Sequence, residues 1–315
     1  MPRGVSREDG HFPKPAPFAV PDRHLSPPPV TDSPALQLMA EGRLDEALNT
    51  ANSVLTDARQ GAESDDSQWP QVFAALQVLG DVQREMGDAP GAEASYNEAL
   101  EIAGKQTISL AVTARMRTQL ATLLDFSERE ALAAPLYEQA ITDYESLTPP
   151  DELSAAQIRN NLAMIYKGLG KYALAEQHYL RSLEVLELNM GRDSEEVASV
   201  YNNLGSLYYT AGFPDQAKEM FGEGLSIRLK ILGSDHPDVA QSLCNIATAK
   251  HELGENTAAL LDFEQSLRIL ELHIKDEVVS YEAVGLDYVS LLENLGEERK
   301  AAAFQKRMEK VLAGA

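Results

Sequence analysis

Asn160-Asn161-Leu162-Ala163, with Tyr166 and Gly170 behind it, returns as Asn202-Asn203-Leu204-Gly205 with Tyr208 and Gly212. It returns again as Cys244-Asn245-Ile246-Ala247 with Gly254, and as Asp287-Tyr288-Val289 with Gly296. Each copy follows its predecessor by 42 residues. Self-similarity at that period marks a stack of like supersecondary units, each able to bury its apolar face only against its neighbours. Such a stack offers long surfaces rather than an enclosed pocket, which points to a binder before a catalyst.

The register runs beyond the quoted block. Leu120-Ala121 precedes Leu162-Ala163 by one period, and Leu79-Gly80 lies 41 residues earlier. Ala114, Ala156, Ala198 and Ala240 keep the 42-residue step at the start of each unit. Inside a unit, Ile158, Leu162, Ile165, Tyr166 and Leu169 recur at helical spacing, and Gly170 closes the helix. A second helix is predicted from about Tyr172 to Asn189, with Ala175, Tyr179, Leu183 and Leu186 on one face. Asp193 or Ser194 then caps the next helix, and Pro237 fits the first turn of the one after. The segment Leu36–Ala58 reads as an earlier pair turning at Gly42, followed by a polar break over Gly61–Gln68. The count is seven helical pairs, the outer two fitting worst, and no strand-like alternation competes.

Composition narrows the function. A formal net charge of −22 and a pI near 4.6 oppose a general phosphate-backbone binder, so no nucleic-acid partner is expected. The lone Cys244 excludes an intramolecular disulfide framework and any multi-cysteine zinc site. No run of about 18 apolar residues and no leader-like apolar segment is visible, so a cytoplasmic protein is expected. Residues 1–34 hold nine of the sixteen prolines and balanced charge, and read as a disordered proline-rich tail ahead of the array at 35–315. Docking of that tail in a proline-recognising groove is the alternative to a solvated one.

No constellation for catalysis emerges. The six histidines never pair at i, i+4, and Gly168-Leu169-Gly170-Lys171 lacks the spacing and Ser/Thr of a phosphate loop. No enzyme activity, metal or cofactor is expected. The last helix, predicted over Glu297–Leu312, carries Arg299, Lys300, Lys306, Arg307 and Lys310 and reads as a polar cap. Its minority reading is a contact with an acidic filament or with anionic lipid.

The slots resemble the tetratricopeptide repeat: Leu162, Ala163 and Tyr166 on a first helix, then Ala175, Tyr179 and Ser182 on a second. Leu204, Gly205, Tyr208, Ala217, Phe221 and Gly224 repeat the pattern, as do Ile246, Ala247, Ala259, Phe263 and Ser266. Upstream, Leu120, Ala121, Ala133, Tyr137 and Ala140 match, with Leu79, Gly80, Ala92, Tyr96 and Ala99 before them. The long period, Asn-Asn-Leu, and Leu232–Ala240 between units resemble the repeat domain of kinesin light chains over about Ala114–Leu270. Bacterial light-chain-like proteins that accompany tubulin-like filaments are similar too. The N-terminus departs from kinesin light chains, which carry a heptad coiled coil there. The resemblance implies an all-α, right-handed superhelical solenoid of about seven tetratricopeptide-type helix pairs, acting as a protein-interaction scaffold.

In such arrays the first helices line a concave groove. Asn161, Asn203 and Asn245 share one position in it, with Gln119 before and Asp287 after. An amide side chain both donates and accepts, so a column of them can bond an extended peptide main chain; the alternative is that they tie neighbouring helices together. The remaining expected lining is Arg115, Thr122, Asn160, Lys167, Asn202, Ser206, Tyr209, Gln241, Thr248 and His251. Two functions follow as expectations. One is a scaffold gripping an extended peptide or protein segment in an Asn-lined groove. The other is a kinesin-light-chain-like accessory protein on tubulin-like filaments, with peripheral membrane contact as a lesser element.

Overall fold

The computed structural model describes residues 33–314, and the described residues are all-α, with no strand. Fourteen helices fall into seven consecutive pairs: α1 (Pro34–Ala40) with α2 (Leu44–Ser64), α3 (Trp69–Glu85) with α4 (Ala89–Lys105), and α5 (Leu110–Phe126) with α6 (Glu130–Glu145). Then come α7 (Glu152–Gly168) with α8 (Tyr172–Met190), α9 (Glu195–Thr210) with α10 (Pro214–Leu232), α11 (Pro237–Glu252) with α12 (Asn256–Leu272), and α13 (Val278–Asn294) with α14 (Glu298–Leu312). The proline-rich tail lies outside the described residues except at its end, where Pro34 opens α1. Two compact units divide the chain within α7, one ending at Asn161 and the other beginning at Leu162.

In the first unit, close approach of paired helices depends on the small residue of the first helix. A Cβ on Gly80 would lie 2.3 Å from Cε1 of Tyr96, a ring that is fully buried. One pair later the small residue is Ala121, and the fully buried Tyr137 shares a hydrogen bond of 3.0 Å between its hydroxyl and Thr122 Oγ1. The polar break expected over Gly61–Gln68 is shorter than its composition suggests. Helix α2 continues to Ser64 because Ala62 is buried, and only Asp65–Gln68 leave the α-helix: Asp65 is extended and Asp66–Gln68 form a 3-10 turn whose Ser67 N–H bonds the Asp65 carboxylate.

The turns inside the pairs share one backbone state. Gly87, Gly170, Gly212, Gly254 and Gly296 all have positive φ, and the α5–α6 turn puts Glu128, at φ 58°, in the same slot. A side chain in that region costs roughly 1–2 kcal/mol, offset in part by glycine's larger entropy in the unfolded chain. Glu128→Gly is therefore expected to stabilise the protein by about 0.5–1 kcal/mol, read as a higher urea midpoint at unchanged slope. A lower midpoint would mean that the Glu128 side chain contributes more than its backbone strain removes.

The second unit repeats the packing. A Cβ on Gly205 would come within 2.4 Å of the Phe221 ring. A core cluster built on Val239, Leu243, Phe263, Leu267, Tyr281, Tyr288 and Met308 joins helices α11 to α14. Ser194 caps α9 by accepting from Val197 N–H, and His236 Nδ1 accepts from Asp238 N–H at the start of α11, where Pro237 occupies the first turn. Leu169, expected on the packed face of α7, is 46% exposed because it lies past the last helical turn.

Arg228, on the last turns of α10, is buried and ties three helices together. Its guanidinium donates twice to Glu195 Oε1 of α9, at 3.0 and 2.7 Å, and to the Asp238 carbonyl and Ser242 Oγ of α11, each at 3.1 Å. Outside the core, ion pairs recur between successive second helices and turns, among them Arg59–Glu98, Arg129–Glu93, Lys218–Glu255 and Arg307–Glu271. Most are exposed, so each adds little on its own.

Candidate functional site

The residues expected to line a groove divide into interior and half-exposed sets. Asn160 and Asn161 are fully buried at 0% and 1% exposure, and Asn202 and Asn203 are nearly so at 8% and 6%. Asn202 has a clear local cause. Gly224 of α10 leaves room for it, since a Cβ there would lie 2.6 Å from Asn202 Nδ2. That Nδ2 donates to the Ala198 carbonyl at 3.0 Å, and Asn202 Oδ1 accepts from Ser242 Oγ at 3.5 Å. Asn202 thus holds α9 to α11 rather than facing a ligand. Asn160 is likewise interior, with its Nδ2 donating to Asn161 Oδ1 at 3.4 Å.

The half-exposed set in the second unit is Lys167, Ser206, Tyr209, Gln241, Asn245, Thr248 and His251. Lys167, Tyr209 and His251 stand at the same place in three successive first helices, one period apart. Lys167 Nζ donates to Ser206 Oγ at 2.9 Å, and burial holds its ammonium below the usual lysine range. Tyr209 donates to Glu252 Oε1 at 3.3 Å, His251 Nδ1 bonds Asn256 Oδ1 at 2.9 Å, and Gln241 Nε2 donates to Asn245 Oδ1 at 3.1 Å. Asn245 Nδ2 keeps its donor capacity on a face made of neutral amides, a phenol, an imidazole and one ammonium.

In the first unit, Gln119 Nε2 donates to Asp81 Oδ1 at 3.0 Å, an oxygen that also accepts from Tyr96 Oη at 2.7 Å. Gln119 Oε1, Arg115 Nε and Asn161 Nδ2 are buried without a hydrogen-bond partner. Thr122 turns its hydroxyl to Tyr137. Asp81 was not among the expected residues, although it organises this region. Its signal in the sequence is a carboxylate in the slot that Thr122, Ser206 and Thr248 fill elsewhere.

Cys244 fills the slot of Asn160 and Asn202 and is interior, its thiol pushed up to about 12 by burial, with Asp287 adding to the shift. A thiol held protonated in this way is a poor nucleophile. Among the described residues, no group of three His, Cys, Asp or Glu side chains is placed to hold a metal ion. No described helix is long and apolar enough to cross a membrane.

Comparison with known proteins agrees with this architecture. A family profile described as tetratricopeptide repeat matches residues 154–230 and 196–271. BtubC (BKLC) from P. vanneervenii is 32% identical, the match covering 72% of this chain and 90% of that one, with a TM-score of 0.60. A protein described as a kinesin light chain from Podospora anserina, with nearly identical repeats, is 19% identical over 66% of this chain and 98% of that one, TM-score 0.57. RapI in its apo form shares the fold at 12% identity, over 76% and 97% of the two chains, TM-score 0.58. No curated protein matches the sequence. Repeated helix pairs, the small-residue and aromatic slots and the identity to BtubC (BKLC) place the chain in the kinesin-light-chain-like branch of the tetratricopeptide-repeat family, whose repeats are protein-interaction scaffolds.

Proposed function

We propose that this chain is a non-enzymatic scaffold that binds an extended peptide or protein segment along the ligand-facing side of its first helices. The observation that carries the reading is the recurrence of half-exposed polar side chains, Lys167, Tyr209 and His251, at one slot of α7, α9 and α11. Asn245 and Gln241 add an adjacent amide pair. A face composed mainly of amide, hydroxyl and ring donors and acceptors, with the single ammonium of Lys167, suits the main chain of a bound segment, because each of its peptide groups needs one of each. The buried Asn161 and Asn203 act in this scheme as supports of the helix stack, a narrower role than the sequence suggests.

A second reading rests on the identity to BtubC (BKLC). In it the chain is a kinesin-light-chain-like accessory protein bound to tubulin-like filaments, and its charged outer helices make the contact. One experiment separates the two. Purified protein is co-sedimented with tubulin-like filaments, alongside the variant Gln241→Ala/Asn245→Ala/His251→Ala. All three positions are half-exposed, so the variant changes the surface and leaves the interior closed. Groove binding predicts that the variant loses binding at least about tenfold, a loss of about 1.4 kcal/mol. Unchanged binding would reject the groove and leave the outer surface as the contact.

A further inference from the structure

The loop between α10 and α11 and the C-terminal half of α12 enclose an open cleft of about 770 Å³, away from the slots discussed above. Ser234 and Asp235 form one wall, Arg268, Glu271 and Leu272 the other, and the buried Ile269 lies beneath. Leu272 is 69% exposed, so its apolar side chain is open to the cleft.

The preceding repeat contains the same place, closed. There Arg192 and Asp193 stand where Ser234 and Asp235 stand here, and Glu223 and Lys230 stand where Gln265 and Leu272 stand. Arg192 donates to Glu223 at 2.7 Å, and Lys230 Nζ pairs with the Asp193 carboxylate, so two ion pairs bridge the gap. One period later both cations and one carboxylate are gone, while the aspartate is kept. Asp235 accepts from Ser234 Oγ at 3.2 Å, and its carbonyl from the His273 ring at 2.8 Å. Among the described residues, no cation lies within ion-pair distance of its carboxylate. Glu271 is already engaged by Arg307. Arg268 has no carboxylate partner among the described residues, its Nε–H contacting only the Glu264 carbonyl of its own helix.

We propose that this cleft receives a lysine or arginine side chain from a partner protein, in the place that Lys230 fills in the preceding repeat. The cation pairs with Asp235, the aliphatic stem lies over Leu272 and Ile269, and Arg268 donates to a main-chain carbonyl of the same segment. An apolar side chain at position 272 is what a stem of that kind needs beneath it, and a retained carboxylate is what its head needs. The site is independent of the first-helix face, so the chain has two surfaces for polypeptide, one matched to main-chain groups and one to a basic side chain.

The test is a ¹⁵N chemical-shift titration of the full chain with the blocked tripeptide Ac-Ala-Lys-Ala-NH2, and with its glutamine counterpart as control. Saturable shifts confined to residues 234–235 and 268–272 are expected for the lysine peptide and absent for the glutamine one. In Leu272→Lys the chain's own lysine fills the cleft, and the peptide is expected to bind at least about tenfold more weakly. Asp235→Asn acts in the same direction, whereas Asp215→Asn, which removes the same charge elsewhere, leaves binding unchanged. Equal affinity in wild type and Leu272→Lys, or shifts spread evenly over the acidic helices, would overturn the proposal. So would no saturable shift at the cleft.

Discussion

Tyr179→Ala is expected to destabilise the protein by about 3–5 kcal/mol, whereas Tyr179→Phe is expected to be neutral or to stabilise it by up to about 1 kcal/mol. Tyr179 is fully buried on α8 at the aromatic slot, so truncation removes a whole ring from the interior and leaves a cavity that fixed helices refill poorly. The hydroxyl is another matter. It is buried with no hydrogen-bond partner, and burial raises the phenol above the usual tyrosine range. A buried polar group without a partner is a cost, so its removal brings no loss. Tyr137 provides the contrast, because its hydroxyl meets Thr122 at 3.0 Å, and Tyr137→Phe is expected to cost about 1 kcal/mol. Urea unfolding followed by circular dichroism gives all three values. A Tyr179→Phe variant as destabilised as Tyr137→Phe would show that the hydroxyl has a partner after all.

Arg228→Ala is the second large effect, about 2–4 kcal/mol. The guanidinium makes four strong contacts with α9 and α11, and truncation would strand Glu195, one of whose carboxylate oxygens is already buried without a partner. Glu195 is 37% exposed as a side chain, so water screens part of the loss and the full cost of breaking a buried pair does not apply. Removing the carboxylate charge as well is expected to recover part of the stability, so Arg228→Met/Glu195→Gln should be more stable than Arg228→Met alone. A double variant no better than the single one would assign the loss to packing of the arginine stem instead.

The repeat architecture was legible because its signals are local and redundant. Gly170, Gly212 and Gly254 mark turns that require positive φ, and Ser194 and Pro237 mark helix starts whatever surrounds them. The small residues Gly80 and Gly205 announced close helix contact, and the rings of Tyr96 and Phe221 fill that space. What the sequence did not disclose depends on three or more helices meeting. Helical spacing puts Asn161, Asn203 and Asn245 at one position, yet the first two are buried and the third half-exposed, because depth is set by the neighbouring helices. Asn202 could be read as interior only by noticing that Gly224 leaves space opposite it. Arg228 takes its partners from two other helices, α9 and α11, which helical spacing within α10 does not disclose. The end of α2 departs from the expected break at Gly61 for a smaller reason: a glycine among polar residues weakens a helix without ending it when the next alanine is buried.

In the proposed function, half-exposed polar side chains on successive first helices hold a polypeptide mainly by neutral hydrogen bonds. Its most direct test is the salt dependence of filament binding, measured for wild type and for Gln241→Ala/Asn245→Ala/His251→Ala between about 50 and 300 mM salt, a range over which exposed charges are strongly screened. If neutral hydrogen bonds carry the contact, wild-type affinity changes by less than about threefold across the range and the variant binds weakly throughout. Wild-type binding that collapses with salt, together with a variant that follows the same curve, would instead assign the contact to exposed charge.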